Sequence, residues 1–472
     1  MRKMNYFNDK VSDIKIAYIG GGSRGWAWTF MGDLALEEQM SGTIALYDIN
    51  HQAAKQNEAI GNKISDMPQA LGKWDYQAVG SLQEALTGAD FVVISILPGT
   101  FDDMHSDVHL PERHGIYQSV GDTAGPGGFI RSLRTIPHFV EFANAIKAHA
   151  PHAWVINYTN PMSICMKTLY HVFPEIKAFG CCHEVFGTQK VLKAIAQQEL
   201  GLTNIDRRDI KVNVLGINHF TWFDYASYKG IDLMPIYQKF IEENFEQGID
   251  AEEEHWANKC FACLNRVKFD LFNRYGYIAA AGDRHLAEFV SSKIYLNDLE
   301  TIEGWDFHLT SVDWRKENKL NLLARSARLA NGEEEFELSH SGEEGILLIK
   351  ALCGLEQVIS NVNIPNTALQ ISNLPADAIV ETNAVFERDA IRPILAGAMP
   401  ENIRQLTLPH IENHSRILEA ALSQDKGLVV SAFMNDPLID QRLSRKEAVK
   451  LVDDMIRNTL SALPDGWTKQ IS

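Results

Sequence analysis

Residues 14–25 read Ile14-Lys15-Ile16-Ala17-Tyr18-Ile19-Gly20-Gly21-Gly22-Ser23-Arg24-Gly25. An apolar strand that runs into G-x-G-x-x-G lets the backbone turn tightly and approach a pyrophosphate, which then rests on the positive end of the helix beginning near Trp26. Gly20, Gly22, Ser23, Arg24 and Gly25 are therefore the candidate cofactor-binding residues. A second apolar strand, Thr43-Ile44-Ala45-Leu46-Tyr47, ends at Asp48. A carboxylate there accepts from both ribose hydroxyls and repels the extra phosphate of NADP, although the spacing from the glycines is longer than the usual ~20 residues. A third run, Asp90-Phe91-Val92-Val93-Ile94-Ser95-Ile96, is almost continuously apolar, as a strand buried on both faces of a parallel sheet should be. The fold expected is α/β, a Rossmann-type doubly wound parallel sheet, and the ligand expected is NAD.

The chain has 472 residues, more than one hydrophobic core usually supports, so two domains are expected. Residues 14–180 form the expected NAD-binding domain. It includes a further apolar strand, Ala153-Trp154-Val155-Ile156-Asn157, and a helix from Met162 to Phe173. Residues 181–472 form the second, largely helical α+β domain. Strands are expected there at Asp209–Gly216, Thr221–Ser227 and Glu381–Val385, with helical periodicity over most of 230–360 and an amphipathic helix from Arg445 to Leu460. The acidic run Glu333-Glu334-Glu335 reads as solvent-facing.

There are 61 acidic and 44 basic residues, for a net charge of -17, and no basic run, which argues against nucleic acid or an anionic membrane as partner. Met1–Lys10 is polar, without the apolar core of a signal peptide, and no stretch nears the ~18 apolar residues of a membrane span. The six cysteines are few and irregularly spaced, as free thiols in a reducing cytoplasm would be. Cys260-x-x-Cys263 is half of a zinc ribbon without a second pair. In its apolar surroundings (Trp256, Phe261, Leu264, Val267) it reads as buried small residues.

The chemistry concentrates between the two halves. Cys182, in Gly180-Cys181-Cys182-His183-Glu184, and His219, in Gly216-Ile217-Asn218-His219, each follow a strand that could end at the carboxyl edge of a sheet, where α/β ligands gather. A thiolate with an imidazole suits several divalent ions and leaves the open positions that a catalytic metal requires. A buried thiol beside a hydrogen-bonded histidine is the alternative from these two residues alone. His183 would point away from the same metal, towards acid or hydrogen-bonding work.

Taken in order, Gly20-Gly21-Gly22-Ser23, Gly121-Asp122-Thr123-Ala124-Gly125-Pro126-Gly127-Gly128, Asn157-Tyr158-Thr159-Asn160-Pro161, Cys182-His183-Glu184-Val185, Gly216-Ile217-Asn218-His219 and Asn363-Ile364-Pro365-Asn366 resemble glycoside hydrolase family 4. Cys-His-Glu-Val is similar to the motif of its α-galacturonidase subgroup. The resemblance implies a fold like lactate and malate dehydrogenase, and hydrolysis without net redox. NAD takes hydride from C3, a tyrosine removes the acidified C2 proton, and the aglycone leaves C1 by elimination. Water then adds, and the hydride returns. This departs from the two-carboxylate scheme of most glycosidases. A divalent metal, usually Mn2+, would bind the C2 and C3 oxygens and stabilise the enediolate. The resemblance makes Cys182 and His219 metal ligands and Asn160 a contact to sugar hydroxyls, though Asn160 before Pro161 also reads as a turn residue. His183 becomes the acid and Tyr277 the base, with Tyr275 as runner-up and Asp283 nearby. A tyrosine needs a neighbouring cation to act as base at neutral pH. Homodimers or homotetramers are implied.

Where neutral-sugar members carry Glu-Ser-Ser-Glu-His, this chain carries Ala281-Gly282-Asp283-Arg284-His285. A guanidinium binds a carboxylate bidentately, so Arg284 beside His285 suits a uronic acid. Pairing of Arg284 with Asp283 or Glu288 on a helix surface is the other reading. Arg131 and Arg134 are second candidates. The function expected is cleavage of α-linked galacturonides. Another α-hexoside or glucuronide, a net dehydrogenase of a small hydroxy acid, and a non-catalytic NAD sensor are the alternatives.

Overall fold

The structure is a computed structural model that describes residues 4–250, 263–309, 311–439 and 442–471. Cys260, Trp256 and Phe261, in the expected Cys-x-x-Cys segment, lie outside these residues. The strands, in chain order, are β1 (Asn5–Phe7), β2 (Lys10–Ile19), β3 (Met40–Tyr47), β4 (Lys73–Ala78), β5 (Phe91–Ile94), β6 (Trp154–Asn157) and β7 (Lys177–Gly180). They continue with β8 (Ile210–Ile217), β9 (Phe220–Tyr228), β10 (Ile231–Asp232), β11 (Ile278–Ala279), β12 (Val358–Pro365), β13 (Ile379–Glu387) and β14 (Ala390–Pro393).

The order β4-β3-β2-β5-β6-β7 is wholly parallel, with β2 at the centre where the strand order reverses. The apolar run that marked β5 is buried on both faces: Phe91, Val92, Val93 and Ile94 are each at most 2% exposed. Each such side chain stabilises the fold by roughly 1.5–3 kcal/mol relative to an exposed one. Helices Trp26–Ala35, His51–Asp66, Gly125–His149 and Met162–Val172 supply the covering layers, and separate apolar clusters fill the two faces. This is the doubly wound sheet read from the glycine turn.

Two features of the fold carry no signal in the local sequence. β12, β13 and β14 extend the same sheet antiparallel beyond β7, through Asn363 opposite Gly180, so residues after 357 complete the N-terminal sheet. β8 and β9 form a hairpin, with Ile217 opposite Phe220, so that Asn218 and His219 are its two-residue tip. Close to that tip, Gly216 has φ +146°, and a Cβ there would stand 2.5 Å from the Phe220 carbonyl. Only glycine fits this position without displacing backbone. The remaining residues are mostly helical, and their largest apolar cluster joins the C-terminal helices to the helix Gly125–His149. The acidic run follows the helix Val312–Asn331, where Glu334 pairs with Arg325 and Arg328 at 2.7 and 2.9 Å. Among the described residues, no helix is long and apolar enough to cross a membrane.

Candidate active site

The glycine turn follows β2 and is locked from beneath. A Cβ on Gly20 would fall 2.0 Å from the Ser95 carbonyl, and one on Gly22 would fall 2.7 Å from Ala53 Cβ. At Gly25, by contrast, no described atom lies within 4 Å of that position. Gly25 precedes the helix Trp26–Ala35 without any side-chain cap, which leaves the first N–H groups of the helix for an anion. Asp48 Oδ2 accepts the Gly22 N–H at 2.9 Å and Asp48 Oδ1 that of Asn50 at 2.8 Å. The carboxylate thus joins the turn to the end of β3. Arg24 reaches Gln56 Oε1 at 3.3 Å, and its Nε is buried with no partner among the described residues. Ser23 is held through its carbonyl, which accepts from Asn57 at 2.8 Å.

β6 and β7 end at the same edge, and the β8–β9 tip meets them there. Cys182 lies just past β7. Burial, Glu381 and Glu184 push its thiol well above the usual range, while the Asn218 side chain hydrogen-bonds to it. His219, next to Asn218, is 4% exposed. Its Nδ1 stands 3.3 Å from Thr123 Oγ1, whose hydroxyl donates to Asp122 Oδ1 at 2.8 Å. The hydroxyl has only one proton, so in this network Nδ1–H donates to Thr123 and Nε2 keeps its lone pair. Burial and the His285 imidazole push His219 down to about 3, so it is neutral at ordinary pH. A neutral imidazole with a free Nε2 beside a thiol fits a divalent metal held by two protein ligands. Among the described residues, no three His, Cys, Asp or Glu side chains form a larger cage.

His285 lies against His219, with ring centroids 4.1 Å apart, and its Nε2 is 3.6 Å from Glu184 Oε1. Burial opposes ionisation of Glu184, but His285, His183, His219 and the Gly282 N–H, at 2.6 Å, outweigh it and hold the carboxyl at about 2. Asp122 is likewise held at about 2 against burial by Arg131, His285 and His219. His183 is half-exposed, with Nδ1 3.0 Å from Glu343 and Nε2 4.0 Å from Glu184. The Asn160 carbonyl accepts from Arg131 Nε at 3.2 Å, and Asn160 Oδ1 is buried without a partner among the described residues.

Several expected residues stand elsewhere or do other work. Tyr277 precedes β11, and the pairing of Ile278 with Phe223 and Ala279 with Trp222 places it beyond Phe223, away from the hairpin tip. A rise of about 3.3 Å per residue separates it from the His219 level. Tyr275 packs edge-on against Trp222. Asp283 is buried and accepts the N–H groups of Val267 and Lys268, both at 3.2 Å, at the start of the helix Arg266–Tyr275. Arg134 is buried in an ion pair with Asp107 and donates to the Pro98 carbonyl, so it is committed to the fold. Glu288 takes the Val120 and Gly121 N–H groups at 2.7 and 2.8 Å instead of lying on a surface with Arg284. Burial raises it to about 8.

Some residues were missed. Asp122 and Glu184 stood inside quoted motifs but carried no assigned role. Glu381, on β13 and raised to about 7 by burial, accepts from Asn361 at 2.6 Å and from Asn218 at 3.4 Å, and no local pattern marks it.

The sequence profile of the family 4 glycosyl hydrolases matches residues 15–198, and that of their C-terminal domain matches residues 214–439. An α-galacturonidase of Lachnoclostridium phytofermentans is 68% identical over 464 residues, spanning 98% of this chain and 100% of that protein. A crystal structure of a Bacillus subtilis protein described as a glucosidase superposes with a TM-score of 0.89 at 51% identity, covering 94% of this chain and 100% of that one. A 6-phospho-α-glucosidase from gut microorganisms, solved with NAD and Mn2+, shares the fold at a TM-score of 0.79 and 20% identity, over 96% of this chain and 99% of that one. With both parts of the chain matched in order, this protein belongs to the family 4 glycosyl hydrolases.

Proposed function

We propose that this glycosidase cleaves α-linked galacturonides, using NAD and a divalent metal, Mn2+ in the first instance. The observation that carries the reading is the full-length likeness to an α-galacturonidase. The site is compatible with it in each part. When bound, NAD supplies a reversible hydride acceptor for C3, and the metal supplies a Lewis acid for the C2 and C3 oxygens.

The chain's own residues do the rest. Cys182 and His219 hold the metal, and Thr123 and Asp122 fix the His219 tautomer from behind. Gly22, the uncapped helix end after Gly25, and Asp48 hold the dinucleotide. The buried Oδ1 of Asn160 accepts a sugar hydroxyl. His183 is the only one of the three neighbouring histidines with half its side chain in solvent, so it can exchange a proton with the departing oxygen at C1; Glu343 at 3.0 Å orients it. His285, 3.6 Å from the ionised Glu184 and packed against His219, is positioned to contact the substrate beside the metal ligand. Cys182 must stay reduced, and Cys165, Cys181, Cys263 and Cys353 are also free, which supports a cytoplasmic location. The family resemblance supports a homodimer or homotetramer.

The test is hydrolysis of α-1,4-linked digalacturonate by protein supplied with NAD, Mn2+ and a thiol reductant, with melibiose and maltose as neutral comparators. Release of galacturonate from the first substrate alone supports the reading. Equal or faster cleavage of the neutral sugars contradicts it.

A further inference from the structure

We propose that Arg315 is a specificity residue that, with Arg284, binds the carboxylate of the uronic acid, while Asp122 and Arg131 fix the pocket from behind. The inference rests on the galacturonide reading and deepens it.

Three guanidiniums from three elements lie within charge range of Asp122: Arg131 from the helix Gly125–His149, Arg284 from the short helix Asp283–Ala287, and Arg315 from the first turn of the helix Val312–Asn331. The charge of Asp122 acts on all three, and Arg315 is repelled by both of the others. Arg131 is 5% exposed and already tied to the Asn160 carbonyl. Arg315 is different. Its Nε is buried, and no described group accepts from it.

Its helix is not free to carry it elsewhere. Val312 packs with Met104, Val108 and Phe101, Lys316 pairs with Asp102 at 2.6 Å, and Lys319 lies over the Phe101 ring. Arg315 is positioned and partly buried, with a buried N–H unsatisfied, two like charges nearby and in Asp122 a carboxylate whose charge also acts on the other two guanidiniums, so a second anion would stabilise it. The flat donor fork of a guanidinium matches a carboxylate.

The test uses R315Q and R315K in the holoenzyme with NAD and Mn2+. It reads digalacturonate kinetics, inhibition by galacturonate and by galactose, and NAD affinity. R315Q is expected to weaken galacturonate inhibition roughly 10- to 100-fold, the usual range for a charged hydrogen bond, with galactose inhibition and NAD affinity unchanged. R315K should fall between, and it carries the comparison if R315Q does not fold. Unchanged galacturonate inhibition, or an equal loss for galactose or NAD, overturns the inference. A wild-type protein that leaves digalacturonate intact overturns the galacturonide reading itself, and the inference with it.

Discussion

The imidazoles of His219 and His285 lie 4.1 Å apart, centroid to centroid, and are inclined by 33°. One ring comes from the β8–β9 hairpin tip and the other from the short helix after β11, so the contact ties two segments of the second part of the chain together at the site. With Nδ1 turned to Thr123, His219 keeps the lone pair of Nε2 for a metal. Replacing either proposed metal ligand, as in C182S or H219N, should lower turnover by more than the 10- to 100-fold that loss of a supporting group costs, with NAD affinity intact. Kinetics across a Mn2+ titration check this. A variant that regains wild-type turnover at saturating metal lost affinity alone, and one with wild-type metal dependence was not a ligand.

Asp48 accepts the Gly22 N–H at the end of β3 and is proposed to hold the ribose hydroxyls. D48A should weaken NAD binding roughly tenfold, as the loss of a charged hydrogen bond does, and narrow the preference for NAD over NADP. Titration calorimetry with both dinucleotides measures this. An unchanged preference would move the ribose elsewhere.

Asn160 presents a buried, unpartnered Oδ1 beside Arg131. N160A should lower kcat/KM on digalacturonate about 10- to 100-fold without changing NAD affinity. A loss of thermal stability with normal kinetics would instead give Asn160 the role of a turn residue.

Glu288 provides a pH test. Its folded value is raised to about 8 from an ordinary 4.5, so between these values the folded chain holds a proton that the unfolded chain has lost. Stability from this group is therefore complete below pH 4.5 and falls as pH rises towards 8, by up to about 1.4 kcal/mol per unit. E288Q lacks this dependence. Its melting temperature relative to the wild type should climb from pH 5 to pH 8, and a difference that stays flat with pH would contradict the assignment.

The local features were readable in the sequence because each is written in contiguous residues. The turn Gly20–Gly25 and the apolar strand at Phe91 announced the sheet, and Cys182 and Asn160 follow strands that were read as such. What escaped depends on packing between distant segments. β13 reads as a strand of a second domain and β12 carries no strand signal of its own, because nothing in their composition says which sheet edge they join; only the pairing of Asn363 with Gly180 does. Arg134 and Arg131 are equivalent as letters three positions apart, yet the buried Asp107 neutralises one and Asp122 faces the other. Tyr277 had a suggestive Gly-Tyr context, and strand register carried it away from the hairpin tip. Arg315 lies in an ordinary charged helix, and the charges that act on it, Asp122, Arg131 and Arg284, are more than 30 positions away in sequence.

Hydrolysis through transient oxidation is read out by proton NMR of digalacturonate in D2O, with NADH absorbance followed in parallel. The expected product is galacturonate carrying deuterium at C2, with no stoichiometric NADH. Galacturonate that keeps its C2 proton, or NADH formed mole for mole, would contradict it.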